Sequence, residues 1–284
     1  MRYQKIGVIG AGVMGIGLST DLLLHGIEVV LIDNNERQLR KAKEDIVQSV
    51  RFAPLLNKEF PKLSHEEVCE RVTFSDHYWA LEACEFVVEN VTEDWPIKEK
   101  LYAELDQALP PETCIGMNTS CTSITMAGSV TSRPDKIVGV HFMNPVHLKK
   151  TVEVIKGYHT SEEAIRQLHV LLDQLGKGSV IVNDFPGFVS NRISHLFMNE
   201  AAFVVQDQVA DPAQVDKIFK ECFSHKMGPL ETADLIGLDT VVNSLKVLYD
   251  SFQDSKFRCC PLLKKMVHAG HLGRKTGQGF YDYK

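Results

Sequence analysis

His141 and Glu153 have the types and placement of an acid–base pair. His141 ends the apolar run Lys136-Ile137-Val138-Gly139-Val140, where a parallel sheet presents its ligand-binding edge. An imidazole ordinarily titrates near neutrality, which suits a general base. Glu153 stands in the next apolar run, Val152-Glu153-Val154-Ile155, so the two side chains can meet across a hairpin. A carboxylate there fixes the imidazole tautomer and stabilises the imidazolium that forms when a proton is taken. A histidine beside a strand is more often structural, so the pair gains meaning only with a partner for the chemistry. Gly10-Ala11-Gly12-Val13-Met14-Gly15 supplies one: a glycine run between an apolar strand pattern, Lys5-Ile6-Gly7-Val8-Ile9, and a helical pattern from Ile16 to His25. Gly10 permits the tight turn, Gly12 lets backbone approach a pyrophosphate, and Gly15 lets helix and strand pack closely. The helix N-terminus turns its N–H groups and dipole toward the anion. Asp33 closes the next strand pattern, Glu28-Val29-Val30-Leu31-Ile32, where a carboxylate accepts hydrogen bonds from the ribose hydroxyls. It could instead only cap a turn. Asn34, Asn35 and Glu36 offer a 2′-phosphate no cation, although Arg37 is near, so the expected cofactor is NAD rather than NADP. Ser120 ends the turn after Thr113-Cys114-Ile115-Gly116-Met117. Its hydroxyl could bond a substrate oxygen or serve as a helix cap.

These residues require a strand, turn, helix, strand unit and more strands beside it. Glu85-Phe86-Val87-Val88-Glu89 and Ser179-Val180-Ile181-Val182 add to the runs already named, with helical patterns near 96–108 and 123–130 and a charged helical stretch near 36–72 broken by Pro54 and Pro61. Strands alternating with helices predict a parallel sheet covered on both faces. Beyond Asp184-Phe185-Pro186-Gly187 the texture becomes helical, at 188–207, 212–222, 237–252 and 260–269. The expected fold is an α/β Rossmann-type domain over 1–185 followed by an all-helical C-terminal domain over 186–284.

Composition excludes several function classes. Of the 284 residues 44 % are hydrophobic and 24 % charged, a globular rather than disordered balance. A net charge of −6 disfavours nucleic acid, which needs clustered Lys and Arg. No run of about 18 apolar residues points to a membrane span, and the opening Met1-Arg2-Tyr3-Gln4 has no signal-like apolar region. Seven Cys at irregular spacing, with Cys259 and Cys260 adjacent, imply neither a disulfide framework nor a metal site. A reducing cytoplasm is expected.

The chain resembles the 3-hydroxyacyl-CoA dehydrogenase family in its short form, which includes 3-hydroxybutyryl-CoA dehydrogenase. The resemblance is carried by Gly7 to Gly15, by Asn118-Thr119-Ser120 with Ser123-Ile124-Thr125, and by His141-Phe142-Met143-Asn144-Pro145-Val146 with Val152 to Ile155. It continues in Asp184 to Arg192, in Gly228-Pro229 with Ala233 to Asp239, and in Gly273 to Tyr281. It implies that His141 and Glu153 are the catalytic dyad, that Ser120 and Asn191 contact substrate, and that Asn144 holds the dyad's geometry. It places Val13 and Met14 of the glycine turn, Asn118, Glu93 and Lys98 at the cofactor, the last two near its nicotinamide end. The alternative for Glu93 and Lys98 is a solvated salt bridge at a helix start. The implied reaction interconverts 3-hydroxyacyl and 3-oxoacyl thioesters with NAD, in a homodimer formed through the helical domain.

The chain departs from the family where a lysine-rich stretch usually meets the 3′-phosphate of CoA. Ser49 to Lys58 keeps only Arg51 and Lys58, and Phe52, Leu55 and Leu56 form an apolar cluster suited to docking or to a core. Cys121-Thr122 and His147-Leu148-Lys149 make the acyl pocket more polar, and Lys149 could pair with a carboxylate on the acyl chain. The substrate is therefore expected to be an acyl-CoA or, alternatively, a polar glyceryl-type group on an acyl carrier protein. A non-catalytic NAD-binding protein is a second alternative, against which the retained His141, Glu153, Ser120 and Asn191 speak. A dehydrogenase with its catalytic Lys on the helical domain is a third, against which the His–Glu segment in the first domain speaks.

Overall fold

The computed structural model describes residues 2–283. The chain divides into two compact units, one ending at Asp184 and the other starting at Phe185.

In the first unit the elements run β1 (Lys5–Ile9), α1 (Val13–Leu24), β2 (Glu28–Ile32), α2 (Glu36–Leu56), α3 (His65–Arg71), β3 (Val72–Ser75), β4 (Phe86–Glu89), α4 (Trp95–Ala108), β5 (Cys114–Asn118), α5 (Ile124–Ser129), β6 (Ile137–His141), β7 (Thr151–Lys156), α6 (Glu162–Gln174) and β8 (Gly178–Asn183). They form one eight-stranded sheet ordered β3-β2-β1-β4-β5-β6-β7-β8. Every pairing is parallel except β6 with β7. The strands flanking the centre are buried on both faces, which is why they read as unbroken apolar runs rather than alternating ones. Strand order reverses between β1 and β4, so a crevice opens at their C-terminal ends, where the glycine turn begins.

The charged stretch 36–72 is not simply helical. α2 buries Leu39, Ala42, Ile46, Val50 and Ala53 as one stripe and is capped by Asn35, whose side chain accepts from the Arg37 and Gln38 amides. Pro54 falls in its last turn, where one missing N–H is tolerated, and the helix runs on to Leu56. Val72-Thr73-Phe74-Ser75 then forms an edge strand on β2 instead of ending a helix. Four residues carry too little periodicity to announce it, and pairing decides it. α6 also lies outside the expected elements, although Ser161 caps it and Ala164, Ile165, Leu168, Leu171 and Leu172 are buried at helical spacing.

The second unit contains α7 (Ser190–Gln206), α8 (Pro212–Cys222), α9 (Pro229–Ile236), α10 (Leu238–Phe252) and α11 (Pro261–His268). Met198, Ala202, Leu230, Leu238, Val241, Leu245 and Leu263 are central to its core. Two acids tie the C-terminal segment to these helices. Asp234 accepts from the Phe280 and Tyr281 amides and the Tyr283 hydroxyl, each at 3.0 Å. Asp216 accepts from the Leu230 and Glu231 amides and, at 2.7 Å, from the Tyr281 hydroxyl. Burial raises the Asp234 carboxyl above its ordinary range.

Candidate active site

The antiparallel register of β6 and β7 sets His141 directly opposite Glu153. Opposed residues share a face of the sheet, so their side chains meet. His141 Nδ1 is 2.8 Å from Glu153 Oε2, with the two side chains only 6 % and 13 % exposed. The other ring nitrogen, Nε2, is 3.1 Å from Ser120 Oγ. A carboxylate on Nδ1 takes that N–H and leaves Nε2 with a lone pair, the tautomer that a base requires. Ser120, His141 and Glu153 therefore form one hydrogen-bonded chain drawn from three elements. The Ser120–His141 contact was not foreseen from sequence, because it depends on how the loop after β5 folds over β6.

Four acceptors shape that loop. Glu93 accepts from Thr119 Oγ1 at 2.8 Å, from the Ser120 amide at 2.6 Å and from Thr122 Oγ1 at 2.7 Å. Asp184 Oδ2 takes Ser123 Oγ at 2.7 Å and both the amide and hydroxyl of Thr125. Asn118 bridges neighbours: its Nδ2 donates to Asn90 Oδ1 at 2.7 Å, and its Oδ1 accepts from the Phe142 amide. Thr119 Oγ1 accepts from the Cys121 and Thr122 amides. Sequence reasoning singled out Asn118 and Glu93 but missed Thr119, Asn90 and Asp184, whose partners are far away along the chain.

Lys98 pairs with Glu93 but is held more closely by a second acid. It is wholly buried, donates to both carboxylate oxygens of Glu89 at 2.8 Å, and stands 4.0 Å from Glu93. It is not a solvated pair, because Glu89, at the end of β4, is equally buried. Tyr102 donates to Glu89 Oε2 at 3.2 Å, and Glu89 Oε1 accepts from the Val91 amide at 2.6 Å. Burial raises the Glu89 carboxyl and the Tyr102 phenol, while Lys98 pulls Glu89 the other way. This buried trio braces the turn Asn90–Thr92.

That turn is one wall of a cavity of about 630 Å³, whose lining includes Gly10, Gly12, Asp33, Gln38, Asn90 and Thr92. Its lining, with two glycines of the turn, the Asp33 carboxylate and the Asn90 amide, fits a dinucleotide. Gly10 has φ +91°, and a Cβ there would press on the Asn90 carbonyl at 2.7 Å; a Cβ at Gly12 would meet nothing within 4 Å, so the glycine leaves open space beside the turn. Gly15 is required by the turn itself, since a Cβ would lie 1.8 Å from the Gly10 carbonyl. α1 has Gly12 as its N-cap and no side-chain cap or acid in its first turn, which leaves its amides for an anion. Met14 is half-buried and Val13 exposed at this end. Asp33 accepts from the Ala11 amide at 2.8 Å and from the Asn35 amide at 2.9 Å, so it braces the glycine turn while lining the cavity.

A second cavity, about 450 Å³, lies between α1, α2 and the β6–β7 connection, with Asn144, Pro145, His147, Ser49 and Phe52 among its lining. Asn144 is exposed there, after a β6 whose last residue is His141, and Asn144–Pro145 is a cis peptide. Lys149 and Arg51 are exposed. Phe52, Leu55 and Leu56 are exposed as well, so the apolar cluster is not core. Asn191 belongs to the second unit, in the first turn of α7, with its carbonyl 2.9 Å from His195 Nδ1.

The model of the 3-hydroxyacyl-CoA dehydrogenase NAD binding domain matches residues 5–185, and that of the family's C-terminal domain matches residues 187–283. The chain belongs to the 3-hydroxyacyl-CoA dehydrogenase family. It is 40 % identical to a probable 3-hydroxybutyryl-CoA dehydrogenase of Bacillus subtilis, over 100 % of this chain and 99 % of the relative. It is 43 % identical to a probable 3-hydroxybutyryl-CoA dehydrogenase of Deinococcus radiodurans, over 99 % and 100 %. The crystal structure of an (S)-3-hydroxybutyryl-CoA dehydrogenase from Ralstonia eutropha superposes with a TM-score of 0.92 at 36 % identity, covering 99 % of each chain. Family membership makes the Rossmann-type unit an NAD-binding domain, and the crevice at the β1–β4 reversal has the lining that such a cofactor needs.

Proposed function

We propose that the protein is an NAD-dependent dehydrogenase that interconverts 3-hydroxyacyl-CoA and 3-oxoacyl-CoA thioesters. The observation that carries this is the chain Ser120–His141–Glu153 at the C-terminal edge of the sheet that also carries the dinucleotide crevice. Bound NAD supplies the hydride acceptor. His141 Nε2 takes the proton of the 3-hydroxyl as C3 gives up its hydride, and Glu153 stabilises the imidazolium. Ser120 orients the substrate oxygen beside Nε2. In the reverse direction the imidazolium returns the proton to the forming alkoxide. On the family resemblance Asn191 is assigned to substrate contact and Asn144 to holding the geometry of the dyad. Lys149 and Arg51 are assigned to polar or phosphate groups of the thioester on their exposure and charge. Asn118, Glu93 and Lys98 shape the nicotinamide end through the contacts described. Residues 1–185 serve as the NAD-binding domain, and residues 186–284 serve substrate binding and homodimer formation. The exposed Val209, Ile218 and Phe223 of the helical unit support the dimer.

The relatives are named as CoA dehydrogenases, which favours a CoA thioester over the carrier-bound alternative. Among the described residues no helix is long and apolar enough to cross a membrane, and all seven cysteines are free, which supports a reducing cytoplasmic setting. The test is oxidation of NADH with acetoacetyl-CoA, with NADPH and carrier-linked 3-oxoacyl substrates as comparison arms. Turnover should be strongest with NADH and the CoA thioester and collapse in His141→Ala; a His141→Ala protein that kept most of its turnover would overturn the proposal.

A further inference from the structure

A buried ion pair lies apart from the dyad and from the cofactor crevice. Asp21, on α1, is 0 % exposed, and its Oδ2 is 2.9 Å from Nζ of Lys177, which is 5 % exposed in the turn before β8. The same ammonium donates to the Val146 carbonyl at 2.7 Å and the Lys149 carbonyl at 2.8 Å. The ammonium thus gives two hydrogen bonds to carbonyls of a single turn and forms an ion pair with one carboxylate. That turn belongs to the connection between β6 and β7, through which the chain passes from His141 to Glu153. Between Met143 and Lys150 only Val146 is buried, so apolar packing holds this connection weakly. A buried ion pair is a costly way to secure a fold, since an apolar pair of similar volume would serve stability as well. What the ammonium adds is direction: it fixes two carbonyls of one loop at set distances from α1, the helix that begins at the glycine turn.

We infer that Lys177, oriented by Asp21, is a positioning residue that sets the pose of the Asn144–Lys149 loop and thereby the affinity for the acyl thioester. This rests on the dehydrogenase reading above. Asn144, Pro145 and His147 of that loop wall the second cavity, whereas no residue of it lines the dinucleotide crevice. Displacing a substrate-positioning segment by about 1 Å can cost on the order of 100-fold in rate. The loss should therefore fall on the thioester and spare NAD.

The test is the double variant Asp21→Leu/Lys177→Met, which removes both charges of the pair; His25, 3.3 Å from Asp21, loses that partner too, so His25→Gln, expected to keep a wild-type KM, is run beside it as the control. The expected result is a KM for acetoacetyl-CoA raised about tenfold or more, with NADH affinity, read by its fluorescence, near that of the wild type. Trypsin should also cut faster after the exposed Lys149 and Lys150 in the native protein. A double variant with wild-type KM and wild-type cleavage overturns the inference. Should the double variant not fold, Lys177→Arg keeps Asp21 paired while its planar fork misaligns the two carbonyl bonds. A raised thioester KM at wild-type Tm supports the inference, and an unchanged KM overturns it. A wild-type protein that turns over no acyl thioester defeats the functional reading instead, and the cleavage rates at Lys149 and Lys150 then decide the inference alone.

Discussion

Replacing Glu153 by Gln isolates what the carboxylate charge contributes to catalysis. The wild-type carboxylate lies 2.8 Å from His141 Nδ1 in a pair that is nearly buried. Gln has the same reach, and its amide oxygen still accepts the Nδ1–H, so the tautomer with a lone pair on Nε2 persists. Only the attraction between a full negative charge and the imidazolium formed in the reaction is lost. Two unit charges about 4 Å apart attract by about 4 kcal/mol at an effective dielectric near 20. The neutral hydrogen bond that Gln retains offsets part of this, leaving about 2–4 kcal/mol. At about 1.4 kcal/mol per factor of ten, kcat should fall roughly 30- to 1000-fold. KM for thioester and NADH should change little, because the charge develops only as the proton moves. The equilibrium of the reaction cannot change, so kcat/KM must fall by the same factor in both directions. The assay is steady-state kinetics of acetoacetyl-CoA reduction and of 3-hydroxybutyryl-CoA oxidation. A kcat within about threefold of wild type would refute the claim that the charge at 153 carries the imidazolium.

Three further outcomes follow from the same structure. Asp33→Ala removes a charged acceptor for the ribose and the brace on the Ala11 amide; at about 1.5–3 kcal/mol for a charge-assisted hydrogen bond, KM for NADH should rise roughly 10- to 150-fold while NADPH changes far less. Equal effects on the two cofactors would count against the ribose assignment. Lys98→Met strands the buried Glu89 carboxylate, and the protein should lose about 3–5 kcal/mol at neutral pH in denaturant titrations. Burial raises the folded Glu89 carboxyl above its ordinary 4.5, so the defect should be smallest below that value and grow as pH rises through the raised one. A defect independent of pH would show that Glu89 is not the stranded group. His25 has its imidazole raised above 6.5 by the Asp21 side chain beside it. The stability it contributes is complete below that value and fades as pH rises through the raised one. Thermal melts of His25→Gln should therefore differ from wild type more at about pH 6 than at about pH 8.

Much of the fold was legible because each signal is local. The strands beside the crevice read as apolar runs since a sheet covered on both faces needs no polar alternation, and the break after Asp184 read as a change in periodicity. β3 was not legible, because a short edge strand is stabilised by pairing with β2 rather than by its own pattern. α6 had a clear pattern and a serine cap, and that signal was available. In the site, His141 ends β6, Asp33 and Ser120 follow the ends of β2 and β5, and Glu153 sits within β7 opposite His141, places where residue type and position carry meaning. Glu89 also ends a strand, but a buried Glu–Lys pair is invisible until α4 is packed over it.

The sequence by itself determined which residues have the chemistry: a glycine turn that tolerates φ above zero, an acid after β2, an imidazole and a carboxylate on successive strands. These depend on residue type and short spacing, which the chain carries along its length. Only the tertiary structure decided which groups touch. The β6–β7 register brings His141 against Glu153, the fold of the loop after β5 brings Ser120 to the other ring nitrogen, and packing on α1 joins Asp21 to Lys177 across more than half of the first unit's sequence. Contacts of that kind follow from burying apolar faces in common, and the partners they bring together leave no mark on the residues in between.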